Sequence, residues 1–110
     1  MDDFNFYIIL RPVDRENTRF YRVYASTSNR QLIVERDCTG LSANQWIIER
    51  FTLRLDKNDA RVTIFCEADN NQSLEIYEAA FNDSKFYKTL PGINRLMWHG
   101  YQIDFKIKYT

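Results

Sequence analysis

The strict alternation of apolar and polar side chains constrains this chain more than any other feature of its sequence. From Tyr101 to Tyr109, the residues Tyr101, Ile103, Phe105, Ile107 and Tyr109 take every second position, with Gln102, Asp104, Lys106 and Lys108 between them. Successive side chains of a strand point to opposite faces, so this spacing predicts a strand with one buried face. A slip of one residue would turn the whole apolar set into water, which fixes the register. The same period recurs near the start, where Phe4, Phe6, Ile8 and Leu10 oppose Asn5, Tyr7, Ile9 and Arg11 until Pro12 ends the segment. Thr18 to Ala25 and Gln31 to Arg36 alternate too. The polar connections Asp14–Asn17 and Ser26–Asn29 have the composition of turns. Three such strands in succession predict an antiparallel meander.

Two segments carry helical signals. Ser42-Ala43-Asn44-Gln45 has the form of a capping box, and Ala43, Ile47, Phe51 and Leu55 follow at helical spacing. Ile47, Phe51, Leu53 and Leu55 also alternate with Thr52 and Arg54, however, so residues 41–51 fit either a helix or a strand. The alternation favours a strand over 47–55, joined through Asp56-Lys57-Asn58-Asp59 as a hairpin to Arg61–Glu67. The second signal begins at Ser73, placed as an N-cap. Leu74, Tyr77 and Phe81 form a stripe widened by Ile76 and Ala80, with Glu75 and Glu78 early and Lys85 and Lys88 late. Leu90-Pro91-Gly92 ends it. The expected fold is therefore α+β: a mostly antiparallel, curved sheet of six to seven strands, with one main helix at about 74–88 packed on one face. At 110 residues the chain makes a single globular domain, 1–110. One helix is narrow for strands that are apolar on both faces. Curvature, a partner or a ligand must cover the remainder.

Chemical motifs are scarce. His99 is the lone histidine and the cysteines are Cys38 and Cys66, too few for a structural zinc site or a disulfide framework. The glycines, Gly40, Gly92 and Gly100, form no phosphate-binding loop and no nucleophile elbow. Cys66 alternates with Val62 and Ile64 and reads as core. Cys38, in Asp37-Cys38-Thr39-Gly40, is the better thiol to pair with His99, but no neighbour in sequence activates it. Most Asp residues stand in turns, and Glu67 and Asp104 on strands are expected to face solvent. No catalytic residue, metal ligand or cofactor is assigned, and the balance leans away from an enzyme. No basic segment leads into an apolar run, so no signal peptide is expected, and no window approaches the roughly 20 apolar residues of a membrane helix. The expected setting is the cytoplasm.

Charge and aromatic content supply the functional expectation. The 15 basic and 15 acidic residues cancel, but unevenly. Residues 56–83 hold two basic and seven acidic side chains, whereas 85–110 hold five basic and one acidic. With eight Phe, seven Tyr and two Trp, the aromatics exceed what one helix-covered sheet needs. A small non-enzymatic module for protein–protein interaction or regulation follows, using an aromatic sheet face and segregated charge. Tyr7, Tyr21, Tyr24 and Trp46 are the expected anchors. Self-association through the last strand, if it lies at an edge, would give a homodimer. The alternative is single-stranded nucleic-acid binding through Arg19, Phe20, Arg22 and Tyr24, where basic and aromatic residues interleave; the neutral overall charge disfavours it. A further alternative is a small-ligand pocket or enzyme between helix and sheet, with His99, Trp98 and Cys38 at its mouth.

Overall fold

The computed structural model describes residues 2–27, 31–56, 58–81, 84–86, 93–98 and 100–107. The alternating segments form strands β1 (Asp2–Pro12), β2 (Phe20–Ser26), β3 (Gln31–Asp37), β4 (Ile47–Leu55) and β5 (Arg61–Ala68). A single turn of 3-10 helix, Asp69–Asn71, precedes β6 (Leu74–Phe81), and β7 (Ser84–Phe86), β8 (Ile93–Trp98) and β9 (Tyr101–Ile107) follow. Among the described residues these strands make two sheets. Sheet A has the order β4-β1-β6-β7 and sheet B the order β3-β2-β5-β9-β8. Every pairing is antiparallel except β5 with β9.

The sheets pack face to face around one apolar core. Phe6, Ile8 and Leu10 of β1 meet Val23 of β2, Val62 and Ile64 of β5, and Ile103 and Phe105 of β9, all buried. The Phe6 and Phe105 rings, one from each sheet, lie 6.1 Å apart between centroids. The apolar sets of β1, β5 and β9 thus face inward as the sequence predicts, and in β2 the buried set includes Tyr21, one of the expected surface anchors. The cover expected from a helix comes from the second sheet.

The expected main helix is absent, and the fold is mostly β rather than α+β. Residues 74–81 form β6, paired to β1, and 84–86 form β7; the rest of the expected helix lies outside the described residues. Asn70 and Asn71 take left-handed backbone angles (φ 52° and 57°) and Gln72 is extended at ψ 154°, so the chain enters β6 from an open turn. The β1/β6 register passes from Ile9↔Glu78 to Leu10↔Ile76, leaving Tyr77 as an inserted residue. The bulge moves the inward positions from 74 and 76 to 79 and turns Tyr77, a member of the expected helical stripe, outward.

The meander and the hairpin also need correction. β1 lies in sheet A while β2 and β3 pair in sheet B, and β4 and β5 sit in different sheets. A connection of a few residues spans the roughly 10 Å between layers as readily as the roughly 4.8 Å between strands, so alternation alone cannot assign a strand to a layer. The last strand is no edge either: β9 lies between β5 and β8, which removes the expected self-pairing through it. Residues 41–46 form neither helix nor strand. Half of a capping box is nevertheless present: Ser42 N–H donates to Gln45 Oε1 at 3.0 Å, whereas Gln45 N–H bonds the Ser42 backbone carbonyl, at 3.2 Å, rather than its hydroxyl. These bonds close an isolated turn, because Asn44 at φ 63° leaves the helical region.

Candidate protein-interaction surface

The outer face of sheet A is a ladder of matched cross-strand pairs. The β1/β4 register places Asp3 opposite Arg54, Asn5 opposite Thr52, Tyr7 opposite Arg50 and Ile9 opposite Ile48. Arg54 Nε lies 3.3 Å from Asp3 Oδ1, and Thr52 Oγ1 donates to Asn5 Oδ1 at 2.8 Å. The Arg50 guanidinium stands 5.6 Å from the centre of the Tyr7 ring. One step further, the Arg11 guanidinium covers the Trp46 ring at 4.0 Å. Cross-strand pairs of this kind contribute roughly 0.2–1 kcal/mol each, and they hold the exposed side chains in fixed positions.

The bulge in β6 completes the surface. Because it turns Tyr77 and Glu78 to the same side, Glu78 Oε2 accepts a 2.6 Å bond from the Tyr7 hydroxyl while the Tyr77 ring reaches Trp46, 5.5 Å away. Arg11 fastens the segment before β4 to β6, bonding the Asn44 carbonyl and Glu75, each at 3.0 Å. Three large apolar residues are left open along this end of the sheet: Trp46 at 37% exposure, Ile48 at 48% and Tyr77 at 69%. Beside them is a shallow depression of about 530 Å³ lined by Asn5, Phe6, Tyr7, Arg50, Phe51 and Thr52. The rings of Phe6 and Phe51 pack together on the core side, 4.9 Å apart.

The outer face of sheet B likewise pairs its charges. Arg22 Nε bonds Glu35 at 2.6 Å, and its guanidinium lies 4.4 Å over Phe20. The Tyr24 hydroxyl donates to Glu67 at 2.7 Å; this bond and partial burial push its ionisation above the ordinary tyrosine range. The expected anchors therefore separate. Tyr7 and Trp46 share the outer face of sheet A, Arg22 and Tyr24 belong to sheet B, and Arg19 is exposed at the start of β2, its backbone N–H bonded to Asp69 at 2.9 Å.

Tyr21 cannot serve as a surface anchor, because it is fully buried. Its hydroxyl donates to Glu49 Oε1 at 2.6 Å, and Arg36 reaches the same carboxylate at 2.7 Å. This latch joins β4, at one edge of sheet A, to β3, at one edge of sheet B. Asp104 is corrected as well: it is buried, bonded by Arg95 at 2.8 Å, and held below the ordinary carboxylate range chiefly by that bond. Cys38 and Cys66 are buried, unbridged thiols whose ionisation is pushed up by desolvation, so Cys38 lacks the activation a nucleophile needs. His99 and the Trp98 side chain lie outside the description.

Sequence reasoning missed Tyr77, Arg11, Arg50 and Ile48. Three of them alternate out of β1 and β4 and were legible as an outer face; Tyr77 was hidden by its assignment to a helix. Among the described residues no helix is long and apolar enough to cross a membrane. The fold and this surface define a two-layer β-sandwich with an open aromatic patch, flanked by Arg50, on the outer face of sheet A. No family model, curated protein or solved structure matches the chain.

Proposed function

We propose that this protein is a small non-enzymatic interaction module that binds another protein through the outer face of sheet A. The observation that carries the reading is the contiguous exposure of Trp46, Tyr77 and Ile48 beside Arg50. Trp, Tyr and Arg are the residues that dominate binding energies at protein interfaces, and the cross-strand pairs hold them ready without ordering costs. Arg50 supports the reading further: it is exposed and, among the described residues, has no carboxylate within ion-pair distance. A cytoplasmic setting fits the two unbridged thiols. Nucleic-acid binding through β2 has less support, since Arg22 is matched by Glu35 and Tyr24 by Glu67.

The test compares surface variants in partner capture. Trp46→Ala with Tyr77→Ala should abolish capture of a protein retained by the wild type, at a cost to folding below about 1 kcal/mol because the side chains are exposed. Tyr24→Ala, on the opposite sheet, should leave capture intact. Capture that survives the first pair and fails with Tyr24→Ala moves the interface to sheet B and rejects this reading. Oligonucleotide affinity that falls steeply with salt would replace it with the nucleic-acid alternative.

A further inference from the structure

β4 is a nine-residue strand at the edge of sheet A, paired with β1 on one side and, among the described residues, with no strand on the other. An edge of this length offers a row of backbone donors and acceptors to any extended chain that can lie beside it. Its inner face is committed, since Ile47, Glu49, Leu53 and Leu55 are buried. Its outer face is not. Ile48, Arg50, Thr52 and Arg54 are all exposed there. Among the described residues, Arg54 pairs with Asp3 alone, at 3.3 Å and with both side chains more than half exposed, and Arg50 has an aromatic ring but no acid within ion-pair distance. The depression of about 530 Å³ opens between Arg50 and Thr52 on one side and Tyr7 and Asn5 on the other. An edge with this side-chain order selects its occupant by charge.

We infer that β4 is completed by an extended acidic segment of a partner protein, added as a further antiparallel strand of sheet A. Its carboxylates would oppose Arg50 and Arg54, and an apolar side chain would oppose Ile48. The inference rests on the interaction reading above and names the chemistry of the partner. A second copy of the chain suits the edge poorly, because two β4 strands side by side would crowd four guanidiniums into one stripe. A nucleic acid could meet the arginines but could not continue the backbone ladder.

The probe is the acetylated peptide Thr-Glu-Thr-Thr-Thr-Glu-Thr-Val-Thr, which puts Glu opposite 54 and 50 and Val opposite 48 in antiparallel register. Amide shifts and hydrogen exchange are followed in the intact protein. Added peptide should slow exchange at alternate amides of β4. The affinity should fall at least tenfold in Arg50→Glu, and a peptide with Lys for Glu should recover binding to that variant. Arg50 is exposed, and an unchanged melting temperature shows that the variant folds. Three results overturn the inference: no shift at millimolar peptide, exchange in β4 that slows with protein concentration alone, or Arg50-dependent binding of an oligothymidylate in place of the peptide. Shifts confined to Trp46 and Tyr77, without protection in β4, reject strand addition but leave the sheet-face reading standing. In partner capture, loss with Trp46→Ala and Tyr77→Ala but not with Arg50→Glu separates the two in the same way.

Discussion

Glu49 is a charge placed inside the molecule, pointing inward from the edge strand β4. A buried carboxylate is tolerable only with partners, and Tyr21 and Arg36 supply them from sheet B. Arg36→Ala should therefore cost about 2–3 kcal/mol and Tyr21→Phe about 1 kcal/mol in denaturant unfolding. Because both act on one carboxylate, the double variant should differ from the sum of the singles; simple additivity would mean the latch does not work as a unit. Tyr21 is expected at the surface because tyrosine is a favoured interface anchor. The face it shares with Val23 already indicates an inward side chain, but nothing local announces a buried acid from β4.

At the level of elements, β9 is the strand whose character was clearest and whose position was not. Its alternation is regular, and Tyr101, Ile103 and Phe105 are buried as expected. Its place between β5 and β8, parallel to β5, depends on contacts remote in sequence. Since Phe105 packs against both Ile64's strand and the Phe6 ring across the core, Phe105→Ala should destabilise by about 3–5 kcal/mol, read from the shift in urea midpoint at constant slope. A loss under about 1 kcal/mol would contradict the packing of β9 at the centre of sheet B. β6 gives the opposite lesson. The stripe expected of Leu74, Tyr77 and Phe81 is not an inner face, because Tyr77 is the inserted residue and stands 69% exposed while Leu74 and Ala79 are buried.

For the whole molecule, the response to pH follows from which groups the fold holds in one charge state. Arg95 keeps the Asp104 carboxyl ionised below its ordinary value of 3.8, and bonds from Thr39 do the same for Asp37. The stability these groups provide is complete above about pH 4 and is lost as the pH falls towards the lowered folded values, because the unfolded chain takes up protons first. Asp104→Asn should flatten this acid limb in melts run between pH 2 and 5. At the alkaline end, burial keeps the Cys66 thiol and the Tyr21 hydroxyl neutral, whereas in the unfolded chain they ionise near 9.0 and 10.0. Stability should therefore decline as the pH rises above about 9. An acid limb unchanged in Asp104→Asn would remove the Arg95 pair from this account.

By itself the sequence determined the strands with regular alternation, the faces they bury, and the absence of familiar catalytic motifs. β4 falls where the alternation put it, Ile47–Leu55. Those properties are local: a period of two is written in neighbouring residues, and burial follows from hydrophobicity. Only the tertiary structure decided which strands share a sheet, that the second layer is a sheet and not a helix, and that Trp46, Tyr77 and Arg50 lie on one outer face. The reason is physical. A short loop can lead a strand to a neighbour or across the core at similar entropic cost, so layer and order are chosen by the packing of the whole core. The candidate surface is what that choice leaves exposed.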